Sequence, residues 1–199
     1  MSKLELHIDI PSLFREGLDK VDSRFLIALI NGYQGSGKSY FAIYLVEKFY
    51  SSSKVYTNIQ SYHSTKHEVH YFHDLSEIYD NTEKFCIFIV DEMSKKYVKD
   101  SKIDRPFYSW LQQSRKNNRV VFLITQEYLQ VPNWLRGIAN VSYTTKPLLF
   151  CNLCKTTLGT PVLDKETCEW TLDTFGYYYY KRNKYYSKKY DTYECIDSL

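Results

Sequence analysis

Glycine and proline are scarce in this chain of 199 residues, 7 and 5 in number, which excludes collagen-like and Pro/Gly-rich low-complexity classes. No apolar run approaches the ~20 residues that a membrane-crossing helix requires; the longest uncharged apolar runs lie around Phe25 to Ile30 and Phe85 to Val90. The opening MSKLELHIDIP has no basic region followed by an apolar stretch, so nothing there reads as a secretory signal and a cytosolic protein is expected. The 5 cysteines are an odd number and Cys86 lies inside an apolar run, which favours reduced thiols over a disulfide framework. A formal net charge of +3 is too small a sum to announce nucleic-acid binding, an argument that needs clustered charge. What the chain does hold is 44% hydrophobic and 17% aromatic residues, enough to bury the core of one globular domain with a small appendage.

Strand-like and helix-like segments alternate along the first three quarters of the chain. RFLIALIN (24–31) reads as a strand buried on both faces, and GYQGSGKS (32–39) leads into a helix on which Phe41, Leu45, Val46 and Phe49 recur at helical spacing. KVYTNI (54–59) and HEVHYF (67–72) are strand-like, and Asp74 with Glu77 three residues on caps a short helix. FCIFIVDE (85–92) and NRVVFLITQ (118–126) are further buried strands, separated by an amphipathic helix over 104–117, and Pro132 opens another short helix. Such alternation predicts an α/β fold with a mainly parallel sheet flanked by helices. The core is expected to span 1–146, with an N-terminal extension over 1–23. The last fifty or so residues, 147–199, read as a β-rich appendage of short strands and turns.

The chemistry begins with Gly32-Tyr-Gln-Gly-Ser-Gly-Lys-Ser39, which satisfies G-x-x-x-x-G-K-[ST] directly after a buried strand and at a helix start. This predicts a P-loop NTPase. Gly32, Gln34, Gly35, Ser36, Gly37, Lys38, Ser39 and Tyr40 are the expected ATP-binding residues, because glycines let successive N–H groups wrap a phosphate at the helix N-terminus. Lys38 reaches the β/γ-phosphates and the Ser39 hydroxyl is a ligand for Mg²⁺. The second metal-facing group is expected at the end of another buried strand, where Asp91 stands, and Glu92 beside it suits a general base that polarises the attacking water. Gln126, ending a third strand, is a candidate γ-phosphate sensor. A paired Asp-Glu points to hydrolysis rather than to a small-metabolite kinase.

At these residues the chain resembles a family. The phosphate loop, VYTNI (55–59), IFIVDE, the helix ending in Trp110-Leu-Gln-Gln-Ser-Arg115, the strand ending in ITQ, and Leu135-Arg136 look like the N-terminal ATPase domain of the zonula occludens toxin-like (Zot) proteins. Those belong with the FtsK/HerA superfamily of DNA-translocating and packaging ATPases, and the resemblance spans roughly residues 24–146. It implies an ASCE-type, RecA-like Mg²⁺-ATPase that assembles as a homo-oligomeric ring, a hexamer for preference, and moves viral DNA, single- or double-stranded, in contact with capsid or virion proteins. The location implied is the host cytoplasm, at a packaging vertex or peripheral to the membrane. The membrane-spanning helix that follows this domain in filamentous-phage relatives has no counterpart here, which favours a genome-packaging ATPase over a virion-assembly ATPase without its anchor. A nucleotide kinase and a nucleotide-gated adaptor are the remaining alternatives. The family's helix before the third strand carries Arg flanked by His; here the stretch is Ser114-Arg115-Lys116, so only Arg115 carries over, as the arginine finger. Arg119 and Arg136 compete for that role.

The segment Gly176 to Tyr190 interleaves tyrosines with basic residues, Lys and Arg182. It suits phosphate contacts plus stacking on exposed bases, but reads as an amphipathic edge hairpin before it reads as a nucleic-acid surface. Cys151, Cys154, Cys168 and Cys195 are a weak zinc pattern, lacking the second close pair of four-thiolate sites. His63, His67, His70 and His73 read as exposed edge residues before they read as a metal cluster.

Overall fold

The computed structural model describes residues 25–50, 52–148 and 153–190. The N-terminal extension, Cys151 and Cys195 therefore lie outside the described residues. β1 (Leu26–Asn31) is buried along its whole length and runs into the phosphate loop and then α1 (Lys38–Phe49). β2 (Lys54–Thr57), β3 (Glu68–Tyr71), α2 (Ser76–Tyr79), β4 (Ile87–Val90), α3 (Arg105–Ser114), β5 (Val120–Ile124), α4 (Asn133–Ile138) and β6 (Val141–Pro147) follow. Two long strands, β7 (Leu153–Leu163) and β8 (Trp170–Lys181), and a single-turn α5 (Lys184–Ser187) complete the order.

One eight-stranded sheet results, in the order β3-β2-β4-β5-β1-β6-β7-β8. The pairs from β3 to β6 are parallel, and β6–β7 and β7–β8 are antiparallel. β4 and β5 carry no charged residue and are buried throughout, because central parallel strands are covered on both faces. The β-rich C-terminal segment continues the same sheet. Its strands, at 11 and 12 residues, are long rather than short, since the turn signal between them falls only at Asp164–Glu169, where the Asp164 and Glu169 backbones pair.

Two cores lie on opposite faces. α1 packs with Ala28, Ile30, Phe122, Ile124, Tyr143, Leu158 and Tyr180 on one face, whereas Ile27, Leu29, Phe88, Val90, Val121 and Leu123 meet Phe107, Trp110 and Leu111 of α3 on the other. Helix starts follow local capping. Asp104 accepts from the Phe107 N–H at 3.2 Å, and at α2 Asp74 Oδ1 accepts from the Ser76 N–H while Glu77 Oε1 accepts from the Asp74 N–H.

The weak reading of the four cysteines as a zinc site fails here, and the exposed-edge reading of the histidines changes for one of them. Cys154 is buried at the start of β7 opposite Tyr180, and Cys168 sits in the β7–β8 turn at the far end of the hairpin; nine residues of strand put them roughly 30 Å apart, so they cannot share a zinc ion. His67 is buried near Glu47 rather than exposed, and burial lowers its pKa. His70 pairs with Glu68, and no group of three potential metal ligands occurs among the described residues. Among them, too, no helix is long and apolar enough to cross a membrane.

Candidate functional site

The C-terminal ends of β1, β4 and β5 converge on one edge of the sheet. β5 lies between β1 and β4, so the strand ending near Gln126 separates the phosphate loop from Asp91-Glu92. The loop's shape is fixed by its contacts. The Gly32 N–H donates to the Gln126 carbonyl at 2.9 Å, and a Cβ on Gly32 would lie 2.5 Å from the Thr145 carbonyl oxygen. Gly37, with φ of 90°, occupies the left-handed region just before α1, where any side chain would be strained. Ser36 is fully buried, its Oγ 3.0 Å from Thr145 Oγ1, which in turn donates to the Asn31 carbonyl.

Ser39 and Asp91 meet directly: the Ser39 hydroxyl donates to Asp91 Oδ2 at 2.5 Å, although the two residues lie on different elements. Asp91 is buried, and its other oxygen accepts from the Glu92 N–H at 2.7 Å. Burial raises its pKa, with the Ser39 and Glu92 hydrogen bonds opposing. The Lys38 pKa is lowered, chiefly by desolvation, with Asp91 and Glu92 pulling the other way; its ammonium donates to the Tyr33 carbonyl at 3.2 Å. Two hard oxygen donors side by side suit Mg²⁺, which prefers oxygen ligands and keeps several waters.

Glu92 leaves β4 with φ of 56° and pairs with Lys95 one turn on. Gln126 is exposed at the same edge. Gln34 and Gly35 form the exposed tip of the loop. Tyr40 differs from the expectation of a nucleotide-facing residue. Its ring is buried, stacks on Tyr180 with centroids 5.9 Å apart, and its hydroxyl accepts from the Asn183 N–H, which leaves only its backbone N–H for a phosphate.

The three arginines part company. Arg119 is fully buried, donates to the carbonyls of Glu83 and Asn81, and lies 5.5 Å from the rings of Phe88 and Trp110. Arg136 is equally buried and donates to the Trp170 carbonyl at 2.6 Å, pinning β8 to α4. Both are structural. Arg115 is exposed at the C-terminus of α3, near where β5 begins, at the opposite edge of the sheet from its own phosphate loop.

Asn58 is a site residue that sequence reasoning passes over. Its amide donates to the Asp91 carbonyl at 3.0 Å and its side-chain oxygen accepts from the Asp91 N–H at 2.8 Å. The TNI run at the end of β2 is the available signal, but a backbone clamp on a strand some thirty residues on is invisible without the pairing of β2 with β4.

A phosphate loop after β1, an adjacent Ser-Asp pair and an intervening strand define the molecule as a P-loop NTPase in fold. The chain belongs to the Zot family, described as zonular occludens toxin, whose model matches residues 26–153. Among solved structures it is similar to the N-terminal domain of zonular occludens toxin from Neisseria meningitidis, at 19% identity and a TM-score of 0.60, covering 84% of this chain and 99% of that one. The genome-packaging NTPase B204 of Sulfolobus turreted icosahedral virus 2, in complex with ATP-gammaS, is similar at 12% identity and TM-score 0.51, covering 75% and 97%. The RadB recombinase is similar at 13% and 0.51, covering 78% and 86%. No curated protein matches the chain in sequence.

Proposed function

We propose that the protein is a Mg²⁺-dependent ATPase that moves viral DNA during genome packaging, working as a ring, a hexamer for preference, in the host cytoplasm at a capsid. The 2.5 Å bond between Ser39 and Asp91 carries the Mg²⁺-ATPase part of this reading, because it brings together, from two separate elements, the two oxygens that would hold a nucleotide-bound Mg²⁺. When bound, the ion neutralises charge on the β/γ-phosphate oxygens. The backbone N–H groups of Gly35 and of Gly37 to Tyr40, at the α1 N-terminus, hold the phosphates, and Lys38 reaches them with the ammonium donors that its bond to the Tyr33 carbonyl leaves free. Glu92, released from Lys95, takes the proton of the attacking water, and the Gln126 amide orients it. Arg115, too far from its own loop to act in cis, serves the neighbouring subunit as the arginine finger. The similarity to a genome-packaging NTPase supports DNA as the cargo.

DNA contact falls on the outward face of the C-terminal hairpin. Lys146 pairs with Lys155 across β6–β7, and Lys155 pairs with Tyr179 across β7–β8. These side chains, with Tyr177 and Lys181, share the face opposite α1; Lys155 Nζ lies 3.7 Å from the Tyr177 ring centroid. Like charges facing each other across strands are unfavourable without an anion, and tyrosines exposed by 49% and 39% offer stacking platforms for unpaired bases. Turnover of Mg²⁺-ATP measured without DNA, with single-stranded DNA and with duplex DNA tests the reading. DNA stimulation is expected; hydrolysis indifferent to both forms, or phosphoryl transfer to a nucleoside instead, would overturn it.

A further inference from the structure

Arg182, the residue directly after β8, reaches the phosphate loop from outside. Its Nη2 donates to the Gly35 carbonyl at 3.0 Å and its Nε to Cys154 Sγ at 3.2 Å. The same guanidinium fills the space where a Gly37 side chain would go. The loop that Arg182 grips is held at its other end too: the Ser36 N–H donates to the Tyr33 carbonyl at 3.1 Å, and Lys38 Nζ donates to that same carbonyl at 3.2 Å. A continuous run of hydrogen bonds therefore links Arg182, through one loop peptide, to the lysine of the motif. On the loop's other side Ser36 is tied to Thr145, so the loop is braced from both flanks.

We propose that Arg182 is a positioning residue for the nucleotide, which holds the phosphate loop in its binding shape and makes ATP affinity depend on the docking of the C-terminal hairpin. A loop peptide held by a cation at its carbonyl and by the Tyr33 carbonyl at its N–H cannot turn over, which limits the conformations of the peptides that follow it, and a loop already in its bound shape loses less freedom when phosphate arrives. The hairpin is anchored to the same helix that the loop opens. Tyr178 and Tyr180 pack against Phe41 and Tyr44, and the Asn183 N–H donates to the Tyr40 hydroxyl. Arg182 thus joins two parts of the chain that are far apart in sequence and touch only in the folded molecule. Nothing in the spacing of the Tyr/Lys-rich segment connects this arginine to the site.

The inference rests on nucleotide binding by the loop and not on hydrolysis or DNA transport. Binding of Mg²⁺-ATPγS to the full chain is measured by calorimetry for the wild type, Arg182→Ala and Arg182→Lys, with melting temperatures recorded with and without the nucleotide. Arg182→Ala is expected to weaken binding roughly tenfold, the loss of one charge-assisted hydrogen bond, and to lower the stabilisation that ATPγS confers, while kcat at saturating ATP changes less than KM. Arg182→Lys, which keeps the charge but loses the fork, should fall between the two. Binding within twofold of wild type in both variants overturns the proposal. So does a lower melting temperature of the free Arg182→Ala protein with an unchanged increment from ATPγS, the result of a purely structural role. A wild type that binds ATPγS but never hydrolyses ATP removes the motor reading and leaves this one standing.

Discussion

Glu92 is held in a left-handed backbone conformation, φ 56°, which for a residue with a side chain costs of order 1–3 kcal/mol and persists only where the surroundings impose it. The imposition is visible: the Glu92 N–H is tied to Asp91, and the Asp91 backbone is clamped at both its N–H and its carbonyl by Asn58. Glu92→Gln should keep Mg²⁺-ATP binding and lower turnover by roughly 10²-fold or more through loss of the base; weaker binding with normal turnover would assign Glu92 a structural role. Asn58→Ala strands two buried backbone groups and should destabilise the protein by about 1–3 kcal/mol, read from urea unfolding, with turnover falling further than ATP affinity because the carboxylates lose their support. Lys38 and Ser39 are legible in the sequence because motif spacing places them, and Asp91 because it ends a buried apolar run. Asn58 is not, because its partner is a backbone on another strand.

The interleaved tyrosines of β8 resolve into two faces by strand alternation. Tyr178 and Tyr180 are inward, the latter with its ring centroid 5.1 Å from that of Phe41, while Tyr177 and Tyr179 face out. The two sequence readings of this segment, core hairpin and nucleic-acid surface, thus apply to alternate residues. The turn of α5 and the residues just beyond it complete the cover over α1: Lys189 Nζ lies 3.3 Å from Glu47 Oε1, with both side chains buried, and Tyr62 donates to the same carboxylate oxygen at 3.0 Å. Removing one partner of such a pair leaves a buried charge uncompensated, so Lys189→Ala should cost about 3 kcal/mol, read from the urea midpoint. No loss would mean that Glu47 finds other partners. Removal of the segment from Tyr177 onward would strip Tyr178, Tyr180 and Lys189 from the core, so point substitutions are the cleaner probe of DNA contact.

Across the molecule the sheet sets Arg115 and the phosphate loop at opposite edges, and this separation shapes the assembly prediction. If Arg115 completes a neighbour's site, Arg115→Ala and Lys38→Ala subunits, each inactive alone, should regain part of the wild-type turnover when mixed, since a trans finger is worth about 10³–10⁵ in rate. A dead mixture of variants that still oligomerise would remove Arg115 from catalysis, and with Arg119 and Arg136 both buried no other of the three arginines could replace it without unfolding. For the outward hairpin face, replacing Lys146, Lys155 and Lys181 by Ala should flatten the dependence of single-stranded DNA affinity on salt by about 2 logarithmic units per tenfold salt, near 0.7 for each phosphate left without its cation. An unchanged slope would place DNA elsewhere.

The α/β class, the phosphate loop and the Ser39–Asp91–Glu92 set are readable from residues 26–92 because each depends on local periodicity or on a motif whose spacing enforces geometry. The strand length of β7 and β8, the clamp of Asn58 on Asp91, the burial of Arg119 and Arg136, and the arrival of Arg182 at Gly35 come only from the folded molecule. Each depends on which distant segments pair, and a pairing between residues tens of positions apart leaves no trace in the periodicity of either one.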